Sequence, residues 1–467
     1  MLIRNAEIDF TAIVDLRIAN EAVTDIGQQL QAHAGEDVLE ADGAALLPGL
    51  WDHHLHLTAL ASSLESVVCG PPLVRTADEL AQSLLRNAAA NSGDSDAWIR
   101  GIAYHESVAG DIDRDWIDRV LPARPVRIQH RSGRLWIVNS CALEHLVTGD
   151  DAPVERVARR PTGRIYDADA WLRQRLAREL PTLMRASKLL ASYGVTGVTD
   201  ASPNNGLSEI GHFSAEQAHG HLLQDVLALG AATLDGATGT LALRIGARKI
   251  HLREAALPDF DIICAEIDAA HAAGRAVAIH CVTLVELVFA LTALAEVGHH
   301  RDDRIEHASV APPDVLPLLA AAGVTVVTQP NFVYERGDNY LAEVNEADRP
   351  WLYRCQGLLD AGIALAAGTD APFGDADPWR AMHAAVTRRT RSGALIGSSE
   401  ALSPKRALAL FSTDAQDPGG PPRRIAPGSR ADLCLLDRPW REAQRDLSAV
   451  RVQATFKAGR MIWRRQT

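Results

Sequence analysis

The strongest constraint on the fold is an alternation of short apolar runs with helical patterns through the middle of the chain. Several runs follow an Ala/Leu-rich segment and a glycine, as in HAAGRAVAIHC, LLAAAGVTVVTQ and LLDAGIALAAGTD. A glycine that ends a helix, followed by a β-branched run, is typical of a connection from helix to strand. The runs that we predict as strands are 46–54, 125–130, 194–200, 247–252, 276–281, 304–308, 324–328 and 363–370.

Eight strands separated by helices fit a closed (β/α)8 barrel or a doubly wound open sheet. Nearly every predicted strand ends in polar residues, and in a barrel these ends meet at the active site. We therefore predict an α/β fold with a TIM-type (β/α)8 barrel over residues 48–414. The stretch 57–124 is too long for one crossover, so we expect an insertion there that adds helices over the barrel mouth.

Both ends of the chain read as short strands joined by turns. Residues 1–47 contain MLIRNAEI and AIVDLRIA, and the C-terminal region contains ADLCLLD and VRVQATFKAGRMIW. Neither end is long enough to bury a core alone. We predict that residues 1–47 and 415–467 form one small β-sandwich domain that is discontinuous in the sequence.

Potential metal ligands stand at the ends of five predicted strands. The first strand carries Asp52-His53-His54-Leu55-His56, and positions 52, 54 and 56 share one face because side chains of a strand alternate. His53 points to the other face, where we expect packing or a hydrogen bond. Neutral imidazoles and carboxylates suit a divalent ion such as zinc. The candidate ligands are His54, His56, Lys249, His280, His307 and Asp370.

Lysine is rare in this chain, with only Lys188, Lys249, Lys405 and Lys457 among 47 basic residues. An amine can lose its proton and react with CO2 to give a carbamate, an oxygen ligand able to bridge two metal ions, whereas a guanidinium cannot. We expect this modification of Lys249 if the site holds two ions. If Lys249 is not carboxylated, a single ion on a subset of the histidines is the alternative.

Each ligand has a simpler interpretation when it is taken alone. A lone histidine at a strand end is more often a hydrogen-bonded core residue than a ligand, and Asp370, before Ala-Pro, would also serve as a helix N-cap. Asp200 at the end of the third predicted strand either orients a ligand histidine or caps the next turn. The joint occurrence of the six candidates at barrel strand ends favours a metal site.

These residues resemble the amidohydrolase superfamily. LLPGLWDHHLHL is similar to its PGxxDxHxH opening, and Lys249, His280, His307 and Asp370 follow in its order. PVRIQHRSG, NSCALE, GVTGVTD, RIEHAS and AGTDAP, with the tail RIAPGSRADLCLLD and KAGRMIW, resemble the branch called amidohydrolase family 3. The resemblance covers essentially the whole chain. It implies a barrel with one or two divalent ions and with Asp370 as the general base.

Two motifs depart from that branch, and both touch the expected substrate pocket. Gly133 is followed by Arg134 where many relatives have Gly-His, and KIHLREAALPDFD replaces a DGS-type sequence after Lys249. The relatives' substrate preferences therefore do not transfer to this chain. Our candidates for substrate contacts are His130, Arg134, His251 and Asn331; for Arg134 a plain surface charge is the alternative.

We predict a metal-dependent hydrolase of non-peptide C–N bonds in a small molecule: an amide, cyclic amide, N-acyl or carbamate group. A metal site of this kind activates water and polarises a carbonyl group, and Asp370 would move the proton. Deamination and ester hydrolysis on the same site are the first alternatives, because fold does not fix function. A non-catalytic binding protein is the second, but such a protein would be expected to have lost ligands.

Composition narrows the class of protein. A net charge of −12 without a basic run argues against nucleic acid or an anionic membrane as a partner. The N-terminus has no apolar core of a signal peptide, and no run reaches the length of a membrane span. Six scattered cysteines without a CxxC pair suggest reduced thiols of a cytoplasmic protein. A homo-oligomer is compatible with the sequence.

Overall fold

A computed structural model describes residues 1–71, 73–90, 98–146, 152–176 and 180–466 of the 467-residue chain. The strands, in chain order, are β1 (Leu2–Ile8), β2 (Ala12–Ala19), β3 (Ala22–Gly27), β4 (Val38–Glu40), β5 (Leu46–Pro48), β6 (Leu50–Leu55), β7 (Val67–Val68), β8 (Ile99–Tyr104), β9 (Val126–His130), β10 (Leu135–Val138), β11 (Val154–Val157), β12 (Arg160–Tyr166), β13 (Val195–Asp200), β14 (Asp225–Gly230), β15 (Leu243–His251), β16 (Val277–Cys281), β17 (Arg304–His307), β18 (Thr325–Thr328), β19 (Leu365–Ala367), β20 (Leu433–Leu436), β21 (Val452–Lys457) and β22 (Arg460–Arg464).

The helices are mostly short and connect these strands. The α-helices are α1 (Leu57–Glu65), α2 (Ala77–Ala90), α3 (Glu106–Ala109), α4 (Arg114–Val120), α5 (Ser140–Leu146), α6 (Asp169–Arg175), α7 (Met184–Ser192), α8 (Leu207–Ala218), α9 (Phe260–Ala272), α10 (Leu284–Val297), α11 (Leu316–Ala322), α12 (Asn331–Glu343), α13 (Gln356–Asp360), α14 (Pro378–Thr387), α15 (Pro404–Ala409) and α16 (Trp440–Ala443). Single 3-10 turns lie at Ala232–Leu234, Glu254–Ala256, Pro313–Val315, Arg349–Trp351, Ser398–Glu400 and Leu447–Ala449.

Eight parallel strands form a nearly closed barrel, in the order β6-β13-β14-β15-β16-β17-β18-β19. The first and last strands meet through backbone hydrogen bonds beyond their ends. The Asp370 N–H donates to the His54 carbonyl over 2.7 Å, and the His56 N–H donates to the Ala371 carbonyl over 2.9 Å. The strand interiors are apolar and buried, as expected for a parallel sheet covered by helices. The predicted (β/α)8 barrel is confirmed, and the open sheet is excluded.

One predicted barrel strand was wrong. Residues 125–130 form β9, which pairs with β8 and β10 in a separate sheet, and the barrel strand missing from the prediction is β14. An apolar run of four to eight residues indicates a buried strand but carries no information about its neighbours. The Lys249 strand is nevertheless the fourth of the barrel, as predicted, because the two errors cancel.

The two ends of the chain form a β-sandwich. One sheet has the order β3-β2-β1-β4, and the other has the order β22-β21-β20-β5. Their inner faces share a core in which Ile3 and Leu16 of the first sheet cluster with Leu433 and Phe456 of the second. The structure groups this sandwich and the barrel into one compact unit, Met1–Leu60 with Thr182–Thr467.

Residues Ala61–Pro181 form a second compact unit. Its six strands have the order β11-β12-β10-β9-β8-β7, and its core includes Leu80, Tyr104 and Ile128. The insertion predicted over 57–124 is therefore too short. The prediction ends the insertion at residue 124 because it assigns the run PVRIQH to the barrel.

Two further features bear on the class of protein. No helix in the described part of the chain is both long and apolar enough to cross a lipid bilayer. The six cysteines, all of which lie in described segments, form no disulfide.

Candidate metal and active site

The six predicted ligands come from five barrel strands and the loops directly after them. His54 lies on β6, one residue before its end, and His56 follows the strand, while Lys249, His280 and His307 lie on β15, β16 and β17. Asp370 follows β19. The carboxyl ends of parallel strands in a barrel meet on one face, so the topology brings all six side chains to the same end.

The histidine rings form a continuous row across this end of the barrel. His251 stacks on His280 with ring centroids 4.1 Å apart, and His280 packs edge-on against His307 at 4.4 Å. His307 lies 4.8 Å from His54, whose ring is 5.5 Å from that of His56. Aromatic packing therefore holds four of the predicted ligands side by side.

Three donors at the centre of the row converge on a space that suits one cation. One donor atom each from His54, His307 and Asp370 lie within 4.8 Å of one another. Asp370 Oδ1 lies 3.6 Å from His54 Nε2 and 3.2 Å from His56 Nε2. This buried oxygen makes no well-formed hydrogen bond to another described residue. An unsatisfied buried carboxylate oxygen facing imidazole nitrogens is a donor arrangement that fits a divalent metal ion.

Lys249 is buried beside these donors, and its Nζ has no hydrogen-bond partner among the described residues. Burial disfavours the charged amine and lowers the pKa of Lys249 to about 8, although nearby Glu306 partly opposes the shift. Near pH 8 a substantial fraction of the Lys249 amine is therefore neutral, and the neutral amine is the form that reacts with CO2. Burial, the missing partner and the lowered pKa all fit a carbamate. Carboxylation would replace an unpaired buried amine by an anion whose oxygens can bind a metal ion.

Glu306 is a functional residue that the sequence analysis missed. It is fully buried, and its Oε2 forms a short hydrogen bond with His54 Nδ1. Its Oε1 lies 2.5 Å from Arg304 Nε, and the Arg304 guanidinium also donates to the His53 carbonyl over 2.7 Å. Burial alone would raise the pKa of Glu306, but Arg304, and then Lys249 and His54, hold it well below its usual range. An ionised Glu306 fixes His54 in the tautomer that leaves Nε2 free to bind a metal ion.

The backbone explains why Glu306 and His307 both face the site. Strict alternation would send one of two neighbours outward. His307 has φ of 72°, in the left-handed region that non-glycine residues rarely adopt, and so breaks the alternation at the strand end. The signal for Glu306 in the sequence is an acidic residue inside a predicted buried strand, between Arg304 and His307.

Burial favours the neutral form of three site histidines, His54, His280 and His307. Burial lowers the pKa of His307 to about 3, and it lowers the pKa values of His54 and His280 as well. The nearby positive charge of Lys249 acts in the same direction on all three. His307 Nδ1 lies 2.6 Å from Gln329 Oε1, which fixes its ring. Neutral imidazole is the form that binds a metal ion.

Asp370 is ionised despite its burial. Burial alone would raise its pKa, but the close contact with His56 Nε2, and then His54 and His307, lower the pKa to about 2. The backbone before it is fixed by Thr369, whose N–H and hydroxyl donate to Asp52 over 3.0 and 2.6 Å. The site therefore contains a carboxylate base next to neutral imidazoles.

The other residues of the DHHLH motif support the ligands. Asp52 accepts a hydrogen bond from the His54 N–H over 3.1 Å in addition to those from Thr369, and burial raises its pKa to about 7. His53 faces away from the row, and its Nε2 lies 2.9 Å from Thr413 Oγ1. Of the two roles expected for His53, packing and a hydrogen bond, this contact corresponds to the hydrogen bond. Asp52 links β6 to the end of β19.

The predicted substrate residues have different surroundings. His251 is exposed at the end of the row, and burial of part of its ring lowers its pKa to about 4. Asn331 is buried at the start of α12, and its amide donates to the Thr369 carbonyl over 3.0 Å. His130 and Arg134 belong to the second unit, where His130 contacts Ser132 and Glu106. The guanidinium of Arg134 forms an exposed ion pair with Asp167.

Asp200 acts as a cap. One carboxylate oxygen accepts from the Leu57 N–H over 2.7 Å, and the other accepts from the Ser202 N–H and the Asn205 amide. Ser202 Oγ in turn lies 3.0 Å from His56 Nδ1. The turn after β13 therefore orients His56 through Ser202, and Asp200 fixes the turn.

The amidohydrolase family model matches residues 37–463 of the chain. An N-substituted formamide deformylase of Arthrobacter pascens is 26% identical over 490 residues, covering 92% of this chain and 90% of its own. A metal-dependent hydrolase of Pyrococcus horikoshii has a TM-score of 0.77 at 22% identity, covering 94% of this chain and 97% of its own. A 5-methylcytosine deaminase of Klebsiella pneumoniae has a TM-score of 0.56 at 16% identity, covering 100% and 98%. The two solved structures share the fold.

Proposed function

Since this chain belongs to the amidohydrolase family, hydrolases that act on carbon–nitrogen bonds, we propose that it cleaves a non-peptide C–N bond in a small molecule. The bond belongs to an amide, a cyclic amide, an N-acyl group or a carbamate. The observation that carries the proposal is the pairing of an ionised, buried Asp370 with neutral histidines and an unpartnered Lys249. Such a site can both bind a divalent ion and accept a proton.

The residues that would hold one or two divalent ions, with zinc expected, are His54, His56, Lys249 as its carbamate, His280, His307 and Asp370. Bound at this position, a divalent ion supplies Lewis acidity, which makes water more acidic and polarises a carbonyl group. The unsatisfied oxygen of Asp370 and the orphaned nitrogen of Lys249 are the features of this chain that fit such an ion.

Asp370 is the general base in this proposal. It removes a proton from the attacking water and then delivers it to the nitrogen that leaves, so that one carboxylate serves both halves of the reaction. Its position next to His56, and the anchoring of Thr369 by Asp52, keep the carboxylate aimed at the histidine row. Glu306 acts through His54, whose tautomer it sets.

The formamide deformylase of Arthrobacter pascens suggests the acyl group to test first. That relative is named for N-substituted formamides, and its match extends over nearly all of both chains. We therefore propose secondary formamides as the first members of the substrate class. Deamination and ester hydrolysis remain outcomes of the same test.

The test is a product assay on metal-loaded enzyme. Secondary formamides, N-acyl amino acids, cyclic amides, carbamates, aminopyrimidines and simple esters are incubated with the enzyme, and carboxylate, amine, alcohol and ammonia are quantified. We expect carboxylate and amine in equal amounts from an amide-type substrate, with activity lost on chelation and restored by zinc. Ammonia alone from an aminopyrimidine would replace the proposal by deamination. Turnover that persists after complete removal of metal would exclude the metal-dependent mechanism.

We also propose a cytoplasmic location, in keeping with six cysteines that form no disulfide. Localisation of a tagged chain tests this proposal.

A further inference from the structure

A second group of ligand-type side chains lies at the other end of the barrel. Glu216 is near the end of α8, His219 caps that helix, and His221 follows before β14 begins. A connection from a helix to the start of the next parallel strand lies on the rim opposite to the strand carboxyl ends. The group is therefore separate from the row of histidines described above.

The three side chains converge. One donor atom from each of Glu216, His219 and His221 lie within 4.8 Å of one another. His221 Nδ1 is 3.1 Å from Glu216 Oε1, and the two imidazole rings are 5.7 Å apart. This spacing is comparable to that of the donors of His54, His307 and Asp370, which meet the same distance limit.

Glu216 is held in place before any ion binds. It is 8% exposed, and its Oε2 accepts hydrogen bonds from the Leu183 N–H over 2.6 Å and from the Thr182 hydroxyl over 3.0 Å. Burial raises the pKa of Glu216, but the hydrogen bond from Leu183 and the neighbouring His221 outweigh it and hold the pKa below its usual range. The carboxylate is thus ionised, and Oε1 is directed at the histidines.

The turn that carries the histidines is also fixed by its backbone. The N–H groups of His221 and Leu222 both donate to the Glu216 carbonyl, over 2.8 and 3.1 Å, and the His219 N–H donates to Ala215 over 2.9 Å. These backbone hydrogen bonds already order the turn, so ion binding would require little additional loss of conformational entropy. His219 is exposed and His221 is partly exposed, so an ion can reach them from solvent.

We propose that Glu216, His219 and His221 form a second, peripheral binding site for a zinc-class divalent ion. Two imidazoles and one carboxylate are a ligand set that zinc, copper and nickel accept, with water completing the coordination. The ion would join the end of α8 to Thr182 and Leu183, the residues at which the chain enters the barrel unit after the second unit. Its role is structural, since no group of the proposed reaction lies at this rim.

The test measures zinc bound per chain after equilibrium dialysis at micromolar free zinc. Wild-type protein is compared with a His219→Ala, His221→Ala double variant and with a His33→Ala, His299→Ala control that removes two exposed histidines elsewhere. We expect the double variant to bind one equivalent less than wild type and control, with unchanged turnover. A crystal of the wild-type protein soaked in zinc should show an anomalous peak between the three side chains.

Equal zinc content in wild type and double variant, at equal thermal stability, would overturn the peripheral site. That result would leave the proposed function untouched, because activity is measured separately. Loss of activity on chelation, in contrast, would be the same in all three proteins.

Discussion

At the residue scale, the chemistry depends on which buried groups keep their charge. Asp370 and Glu306 are both buried acids that stay ionised, but for different reasons. Asp370 has His56 and the other histidines beside it, whereas Glu306 has the guanidinium of Arg304. Both oxygens of Glu306 are engaged, one with His54 and the other with Arg304, whereas Asp370 Oδ1 faces only imidazole nitrogens. Asp370 is therefore the acid that we propose for proton transfer.

Asp370→Asn should abolish turnover while the metal is retained. The amide keeps an oxygen that can bind an ion but cannot accept a proton at neutral pH, and loss of a general base costs about 10²–10⁴-fold in rate. Turnover number and zinc content are measured on the same preparation, with exposed Asp302→Asn as the control. Turnover near the wild-type level would exclude Asp370 as the base.

Lys249→Ala should lose one equivalent of metal, because the carbamate that would bridge two ions can no longer form. The experiment uses the His219→Ala, His221→Ala background, so that the peripheral site adds nothing to the count, with bicarbonate present. Lys188→Ala, on the exposed face of α7, is the matched control. An unchanged zinc content would reduce Lys249 to an electrostatic role.

Glu306→Gln should weaken zinc binding about 10–100-fold, the usual effect of losing the carboxylate partner of a metal-binding histidine. Glu400→Gln is a close control, because Glu400 is also buried and paired with an arginine, Arg354, but touches no histidine of the site. Competition with a chelator of known affinity gives the dissociation constants. Equal effects of the two substitutions would assign Glu306 a purely structural role.

At the element scale, helix ends carry buried charges that the sequence pattern does not reveal. Asp377 caps α14 and accepts a hydrogen bond from the Trp379 N–H over 2.9 Å. Burial raises its pKa from the ordinary value of 3.8 to about 6, and the nearby Asp375 adds to the shift. Asp377 therefore stabilises the helix as its N-cap, but at neutral pH it holds a negative charge in a largely buried position, which is unfavourable.

Asp377→Asn should stabilise the protein at pH 8, by about 2–3 kcal/mol if the whole shift is expressed. Asparagine keeps the cap and removes the charge. Below pH 6 the folded wild type takes up a proton that the unfolded chain binds only near pH 3.8, so the wild type recovers and the difference shrinks. Urea unfolding at pH 8 and pH 5 measures the difference, with Asp302→Asn as the control. A pH-independent difference would contradict this account.

The sequence predicted the barrel well because its strands are short apolar runs with polar ends. Seven of the eight runs correspond to barrel strands, and the six candidate ligands lie at or near the ends of those strands. The assignment of PVRIQH failed because pairing partners are a tertiary property. Glu306 was missed because strand alternation allows only one of two neighbours to face inward, and the left-handed φ of His307 cannot be predicted from the sequence.

At the scale of the whole molecule, one buried lysine links the sandwich to the barrel. Lys457 on β21 donates to Asp225 on β14 over 2.8 Å and to Asp432 over 2.7 Å, and all three side chains are buried. Two of the few lysines in this chain therefore have different surroundings. Lys457 has a structural role with two carboxylate partners, whereas Lys249 has none among the described residues.

Lys457→Met should destabilise the barrel unit by about 3 kcal/mol, the lower end of the range for breaking a buried ion pair. The two buried carboxylates would lose the buried cation and keep only Arg430, which is partly exposed. Lys188→Met removes an exposed lysine and is the control. The urea midpoint of the last unfolding transition is the measurement, since a chain with two compact units need not unfold in one step. A midpoint shift no larger than that of the control would show that the ion pairs contribute little.

The sandwich also determines when the protein can fold during synthesis. The sheet of β1–β4 buries its inner face against β20 and β21, which are made nearly four hundred residues later. Until the ribosome has released residues 433–464, Ile3 and Leu16 have only β5 of the second sheet to pack against. A sheet with an exposed apolar face is prone to associate with other chains. The nascent chain therefore exposes an apolar sheet face that is prone to aggregation through most of translation. Its yield in a cell should depend on how fast synthesis reaches the C-terminal strands, and on chaperones that shield the first sheet until then.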